Sequence, residues 1–299
     1  FDTISYAIQN NTERLLVKWF SNIYKKYKIS DFIFSGGVAQ NIKASKKILS
    51  LRGIKSLFVP PGPGDESISI GAAYYLISKK LKIEDKKITS MINPYVGSSF
   101  EKNDLKFVYK NPKLKVKKIN NRTAAKILNQ GFPIARFSTN KSEFGPRALG
   151  NRSIIASPKD PQIIHYINES IKIRDFWMPF APSIISTDIN RLLINKKNSF
   201  PNFMTTSLDS TQFAKINIPG ALHPFDRTSR PQIVYKKHNK DYFNLISEFK
   251  KLSGVGCLLN TSFNIHGEPI VNSPKDAVKT LLKTDLKYLL IDDLLISKK

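Results

Sequence analysis

Cysteine occurs once in these 299 residues, at position 257. A single thiol excludes an internal disulfide and any cysteine-rich metal site. Its place in the apolar run GVGCLL predicts a buried side chain rather than a nucleophile. Acidic residues are scarce too, 23 against 48 Lys and Arg, for a formal charge of +25. No apolar run approaches the roughly 18 residues of a membrane span and no signal-peptide pattern opens the chain, so a cytoplasmic protein without a membrane partner is expected. The sequence begins at Phe1, inside what reads as a helix already under way. The N-terminal part of a longer protein is therefore expected to precede it. A hydrophobic content of 41% leaves room for two domains, each with a core.

An excess of positive charge usually points to nucleic acid or an anionic surface. Here 38 of the basic residues are lysines, scattered along a sequence rich in Ile and Asn, as expected of solvated faces. The 10 arginines say more, because five of them, Arg147, Arg152, Arg174, Arg227 and Arg230, lie in motif-like stretches. Planar, bidentate contact with an anion is what lysine does not replace.

The richest stretch is SEFGPRALGNRSI, residues 142–154. It sets Arg147 and Arg152 among Gly145, Pro146, Gly150 and Asn151, a composition expected to bend the backbone and leave amide N–H groups free beside two guanidinium forks. In KIRDFWMPFAPS, residues 172–183, Lys172 and Arg174 alternate with Ile171 and Ile173, which predicts a strand with both cations on one face. Four converging cations suit a substrate with several phosphates.

Along the chain, Ile4, Ile8, Leu15, Leu16, Trp19, Phe20, Ile23 and Tyr27 keep close to helical spacing, predicting a core-facing helix over 3–27. A short buried strand at 31–34, the turn SGGVAQN, a helix to about Leu49 and a strand at 56–60 follow. Gly36 and Gly37 allow a ligand to approach the backbone at a helix N-terminus, and equally suit a tight strand-to-helix turn. PPGPGDESISIGAA then runs into a helix in which Gly71, Ala72 and Ala73 permit close packing. Asp65, where that helix begins, suits either an N-cap or a carboxylate ligand to a metal or ribose. Apolar periodicity fades between Lys79 and about Lys118, which places a domain boundary near residue 95.

The second domain is expected to open with a helix at 122–130 stopped by Gly131, then the strand PIARF at 133–137. A helix over 160–170 carries His165, read as a surface histidine. Residues 190–222 are the least readable and suit an insertion or a lid. HPFDRTSRPQ brings His223, Asp226, Thr228, Arg230 and Gln232 into ten residues, a polar turn or a ligand contact. After a helix at 240–252, GVGCLL enters NTSFNIHGEP, where Asn260, Thr261, Ser262 and Asn264 form a loop able to grip phosphate. Ser273 caps a helix with Pro274 at its first position, and a hairpin around Asp292 and Asp293 closes the chain.

With these stretches in one order, the chain resembles the C-terminal part of the NodU/CmcH family of O-carbamoyltransferases. The resemblance implies an α/β fold: residues 1–95 as the C-terminal part of an actin-like (ASKHA) domain, and residues 96–299 as a YrdC-like domain with a twisted mixed sheet. It implies that the YrdC-like domain makes carbamoyl-adenylate from ATP and carbamoyl phosphate with magnesium. The actin-like domain, with bound iron, would transfer the carbamoyl group to a hydroxyl of a small molecule or sugar. By resemblance Lys172 and Arg174 match the phosphate-binding K-x-R pair, and Arg147 and Arg152 the arginines that bind carbamoyl phosphate or nucleotide phosphates. Ser142, Asn151, Ser153, His223, Asp226, Arg230, Gln232, Asn260, Thr261, Ser262 and Asn264 complete the expected ATP and carbamoyl phosphate contacts. Gly36, Gly37 and Asn41 are the expected carbamoyl-adenylate contacts of the actin-like part, and Asp65 the metal ligand.

Three departures stand out. None of His165, His223, His238 or His266 has the paired spacing of the family's iron histidines, so the iron site is expected to be incomplete here. The family's F-R-P-F-A-P reads Trp177-Met178-Pro179-Phe180-Ala181-Pro182, one cation fewer. HPFDRTSRPQ has one residue more than the family pattern between His223 and Asp226, and Arg227 in place of a glycine. Two other readings stay open: threonylcarbamoyl-adenylate synthesis on the same YrdC fold, which the actin-like part and the 142–154 loop argue against, and a nonenzymatic nucleic-acid-binding protein, motivated only by charge. A homodimer is compatible with the sequence.

Overall fold

Ile134–Phe137, Arg152–Ala156 and Ala181–Ile185 are buried along their whole length, which requires a sheet covered on both faces. The structure, a computed structural model, describes residues 2–81, 93–175, 177–197 and 201–299. Helix α1 (Asp2–Tyr27) leads into β1 (Asp31–Ile33), α2 (Ile42–Ser50), β2 (Ser56–Phe58) and α3 (Ile68–Leu81). Then come α4 (Lys106–Lys110), β3 (Leu114–Lys118), α5 (Asn121–Asn129), β4 (Ile134–Phe137), β5 (Arg152–Ala156), α6 (Gln162–Tyr166), β6 (Ala181–Ile185), α7 (Ile189–Leu192) and β7 (Leu193–Ile194). The chain ends with β8 (Asp209–Ser210), α8 (Gln212–Asn217), β9 (Gln232–Val234), α9 (Lys240–Ser253), β10 (Cys257–Ser262), α10 (Pro274–Lys283), β11 (Tyr288–Ile291) and β12 (Leu294–Lys298).

Eight strands form one mixed sheet in the order β3-β12-β11-β4-β5-β10-β6-β9. Pairs β11–β4 and β6–β9 are parallel and the other neighbours antiparallel. The α/β class and the mixed sheet expected from the sequence are what the structure shows. Successive residues of β10 feed opposite faces. Leu258 packs with Leu128 of α5 and Leu245 and Phe249 of α9, and Leu259 with Ile154, Phe137 and Leu281 of α10. Asn120, Asn239 and Ser273 cap α5, α9 and α10 through their side chains. Cys257 lies fully buried, as its apolar run predicts, and burial pushes its thiol pKa up.

β1 and β2 pair in parallel as a separate two-stranded sheet. A single apolar cluster joins Leu16, Phe20, Ile48 and Leu57 to Ile184, Ile233 and Cys257, so residues on both sides of position 95 share a core. The lysine-rich stretch around that position runs through residues 82–92, outside the described residues.

Five expectations need correction. The stripe on α1 does not face the core as a whole: Leu16 and Phe20 are buried, but Ile4, Ile8, Leu15, Trp19 and Tyr27 are exposed. The first strand is likewise open, with Ile33 exposed, and Gly71, Ala72 and Ala73 of α3 face outward with no close packing at Gly71. Residues 171–174 are not a strand. A π-helical turn, Ile167–Lys172, extends α6, and Ile164, Ile167 and Ile171 are buried at helical spacing, a period that four residues of alternation cannot reveal. Finally, the described part of 190–222, which excludes 198–200, is largely buried and holds α8, β7 and β8, so it is core rather than lid. Among the described residues no helix is long and apolar enough to cross a membrane.

Candidate anion site

The π-turn ends at Ile173, whose φ of 53° and ψ of 57° are left-handed. A β-branched residue is strained there. That reversal separates Lys172, buried, from Arg174, whose Nε donates to Asn168 Oδ1 at 2.7 Å. Ile173 itself is exposed. Ile173→Asn, which tolerates this backbone, is expected to raise stability by about 1 kcal/mol in urea unfolding. A lower unfolding midpoint would contradict the strained turn.

Lys172 reaches the end of β10. Its Nζ donates to the Ser262 carbonyl (2.8 Å), to Ser262 Oγ (3.0 Å) and to Asn264 Oδ1 (2.5 Å). Asn264 Nδ2 in turn donates to the Glu268 carbonyl (2.7 Å), so the 262–268 loop is drawn around the ammonium. Burial, and then the charge of Arg174, pull the Lys172 pKa down to about 7. Arg230 is pulled down to about 9 by burial and then by the charges of Arg147 and Arg174. Burial lowers Arg147 and Arg174 as well. None of Lys172, Arg147, Arg174 and Arg230 has a carboxylate partner within 4.0 Å among the described residues. Like charges gathered without counter-ions repel, so the group is complete only with an anion among them.

Arg152 adds to it from β5. Its Nη1 donates to the Ser138 (2.5 Å) and Asn151 (3.0 Å) carbonyls, and its guanidinium stacks 3.8 Å from the Phe137 ring centroid. Nε and Nη2 are buried without a partner, and burial brings its pKa to about 10. Arg147 and Arg152 line one cavity of about 180 Å³ with Ser142, Glu143 and Asn272.

The expected residues thus divide. Lys172, Arg174, Arg147, Arg152, Arg230, Ser142, Ser262 and Asn264 belong to this region. Thr261 lies in β10 beside Ile154. Asn151 and Ser153 within the 142–154 stretch and Gln232 and Asn260 beneath it are buried and bonded to protein groups, though Asn260 Oδ1 is left without a partner. Asn151 accepts from Arg136 and Asn239 and donates to the Lys141 carbonyl, and Ser153 Oγ accepts from Gly150 N–H. Asn260 Nδ2 donates to the Ala148 carbonyl, and Gln232 Nε2 to that of Leu149.

From 149 to 152 the loop's amides are not free, contrary to expectation. Oε1 of Glu143 accepts from the N–H groups of Leu149 (2.6 Å), Asn151 (2.8 Å) and Arg152 (3.1 Å). Sequence reasoning missed Glu143, although a carboxylate just ahead of two glycines and two arginines in so acid-poor a chain is itself a signal. Tyr95 was missed too: its hydroxyl donates to the Leu149 carbonyl at 2.7 Å.

His223 and Asp226 come together at 3.2 Å, but against α2, where Lys43 lies 3.1 Å from Asp226. Asp226 lines a different groove, with Gln9, Lys46 and Lys47. Burial there raises its pKa, but hydrogen bonds from Thr228 and Lys43 and the charge of His223 outweigh it, holding the carboxyl at about 2.

Gly36 (φ 102°) stands at the C-terminal end of β1, and its N–H donates to the Pro63 carbonyl at 2.6 Å. Asn41 caps α2 by accepting from Ala44 N–H and exchanges hydrogen bonds with Gln9. The 60–64 loop also touches the cation loop: a Cβ at Gly145 (φ 98°) would overlap the Pro61 carbonyl. Asp65 is exposed at the start of the Asp65–Ser67 turn, and among the described residues no three His, Cys, Asp or Glu could hold a metal ion. The residues present therefore do not make an iron site.

Comparison with known proteins accords with this arrangement. The family profile Carbamoyltransferase C-terminus matches residues 125–298, and Carbamoyltransferase N-terminus matches residues 2–74. Uncharacterized protein MJ1051 of Methanocaldococcus jannaschii is 35% identical over 99% of this chain and 56% of its own length. Nodulation protein NolO of Bradyrhizobium diazoefficiens is 31% identical over 99% and 54%, and Nodulation protein U of Rhizobium tropici 27% identical over 85% and 42%. The chain spans about half the length of the curated relatives it matches. Among solved structures, full-length HypF in its phosphate- and nucleotide-bound form gives a TM-score of 0.41 at 14% identity, covering 63% of this chain and 23% of that one. P. abyssi Sua5 complexed with L-threonine gives 0.38 at 19%, covering 57% and 46%. Those two likenesses are too distant to carry an argument. The C-terminal match alone spans more than half of the sequence, with the N-terminal match in order ahead of it, and the chain belongs to the carbamoyltransferase family.

Proposed function

We propose that this chain carries the carbamoyl-adenylate-forming site of an ATP-dependent O-carbamoyltransferase. The observation that carries the reading is the group of Lys172, Arg147, Arg174 and Arg230 without a carboxylate partner among the described residues, beside Arg152 with two unpaired buried nitrogens. Family membership supplies the carbamoyl group; the cations supply the reason for a polyphosphate. Cations that are buried, as Lys172 and Arg152 are, or half-buried, as Arg147, Arg174 and Arg230 are, do not suit a nucleic-acid surface, which is read by exposed ones.

Hydrolysis of carbamoyl phosphate yields carbamate and phosphate. A carbamate oxygen then bonds to the α-phosphorus of ATP as the bond to the bridging oxygen breaks, and pyrophosphate leaves with the electron pair. Negative charge grows on the phosphoryl oxygens and the departing group, and fixed guanidinium and ammonium groups stabilise it without reorganising. In this reading Arg147 and Arg152 hold phosphate in their cavity, and Arg174, Arg230 and Lys172 hold the neighbouring phosphates. Magnesium arrives with ATP and adds positive charge. Transfer follows when an acceptor hydroxyl oxygen bonds to the carbamoyl carbon, AMP leaves and the hydroxyl proton is lost. We assign that step to the region of Gly36, Gly37 and Asn41, at the C-terminal ends of β1 and β2 where ligands of parallel sheets bind.

The direct test is to incubate the chain with ATP, magnesium and carbamoyl phosphate, quench, and look for carbamoyl-adenylate by mass spectrometry. Its formation is expected; its absence from a folded sample that turns over neither substrate contradicts the proposal. The low Lys172 pKa adds a pH signature. Below about pH 7 the ammonium is charged already, but above it anion binding must take up a proton, because a bound anion favours the charged form. Sulfate does not titrate in this range. Its affinity is expected to be flat from pH 6 to 7 and to fall by up to about tenfold per pH unit above 7, a fall that Lys172→Met abolishes.

A further inference from the structure

Glu143 presents a contradiction in charge. It lines the same small cavity as Arg147 and Arg152, where a carboxylate repels the anion the site is built to take. At longer range Glu143 does hold the Arg152 pKa up against burial. It accepts from the Arg152 backbone N–H, yet makes no ion pair within 4.0 Å of any guanidinium among the described residues, and Arg152 Nε and Nη2 stay unpaired. Its Oε1 is spent on three backbone donors, Leu149, Asn151 and Arg152.

The same stretch is held from beneath by its carbonyls. Ala148 O accepts from Asn260 Nδ2 at 3.1 Å, and Leu149 O from Tyr95 Oη at 2.7 Å and Gln232 Nε2 at 2.5 Å. Gly150 N–H donates to Ser153 Oγ at 2.9 Å, and its carbonyl accepts from Arg136. Backbone polar groups from 149 to 152 are thus engaged on both sides, as is the Ala148 carbonyl, with Arg147 just ahead of the clamped segment and Arg152 at its end. A turn of small residues with free N–H groups would be an anion nest. Here the nest is filled by the protein's own carboxylate.

We propose that Glu143 is the positioning residue of the anion site. Its carboxylate fixes the loop from 149 to 152 so that the guanidinium groups of Arg147 and Arg152 are held ready to meet phosphate. The inference rests on the reading of this cavity as an anion site. Pre-aimed forks bind phosphate without first losing loop entropy, and charge-assisted hydrogen bonds to three amides outweigh the Coulombic cost of one carboxylate.

The two effects of removing the carboxylate have opposite signs, which makes the test decisive. Glu143→Gln and Glu143→Ala each add one positive charge, so electrostatics alone would tighten anion binding. Positioning predicts the reverse. Titration calorimetry with inorganic pyrophosphate is expected to show binding about tenfold weaker in Glu143→Ala, with Glu143→Gln in between because its amide oxygen still accepts. Since Glu143 acts through Arg147 and Arg152, adding Glu143→Gln to Arg147→Ala is expected to cost less than Glu143→Gln costs alone. Glu143→Gln, nearly isosteric, carries the test should the alanine variant fail to fold. Unchanged or tighter binding in a folded Glu143 variant, or full additivity with Arg147→Ala, overturns the proposal. Wild-type protein that binds no pyrophosphate, or binding that survives Arg147→Ala untouched, overturns instead the anion-site reading on which it rests.

Discussion

Lys172→Ala is expected to lower carbamoyl-phosphate-dependent pyrophosphate release by about 10³-fold, roughly the scale on which single preorganised electrostatic groups act. Lys172 carries two burdens that cannot be separated. As a cation beside Arg174 it faces the phosphates. As a donor to the Ser262 carbonyl, Ser262 Oγ and Asn264 Oδ1 it holds the 262–264 loop in place. Alanine removes the charge and strands those acceptors, so a loss of stability of about 1–3 kcal/mol is expected alongside. Lys172→Arg should not rescue activity, because a planar fork cannot replace a compact ammonium in a side-chain site that is 2% exposed. Activity of Lys172→Ala within tenfold of wild type would remove the residue from the chemistry.

Arg152→Met is expected to part stability from binding. In the free protein Arg152 holds a buried charge with Nε and Nη2 unpaired, a cost met only in part by the Ser138 and Asn151 carbonyls and the stack on Phe137. Methionine fills similar space and keeps the contact with the ring. The thermal midpoint without ligand should therefore equal or exceed that of wild type. The anion effect should vanish: a ligand at 100 times its dissociation constant stabilises wild type by about 2.7 kcal/mol, whereas a variant bound 10²-fold more weakly gains about 0.4 kcal/mol. Thermal melts with and without pyrophosphate measure both. A variant that melts low yet keeps the full pyrophosphate shift would make Arg152 a structural residue.

Much of the scaffold was legible because its signals are local. Asn120 and Ser273 cap helices, Gly131 ends one at positive φ, PIARF forms β4, and the run from Cys257 into Ser262 is the strand that delivers the loop at 262–264. The cations were legible because arginine is rare in this lysine-rich sequence. What escaped depends on partners far away in the chain. Asn260, Gln232 and Asn151 look like ligand contacts because small amide side chains serve both uses, and only the fold shows them bonded beneath the loop. Glu143 escaped for a similar reason, since its three partners are backbone groups with no sequence identity. The 171–174 stretch alternates like a strand over too few residues to betray the helical burial of Ile164, Ile167 and Ile171. On α1 the apolar stripe is real, yet a periodic pattern states that a face is apolar and not what covers it.

The central claim is that the unpaired cations around Lys172 activate carbamate at the expense of ATP. Pyrophosphate release by this chain, measured with ATP and magnesium in the presence and absence of carbamoyl phosphate, tests it most directly. Release that requires carbamoyl phosphate and is suppressed in Lys172→Ala is expected. Release that proceeds equally without carbamoyl phosphate, or that persists in Lys172→Ala at the wild-type rate, would contradict it.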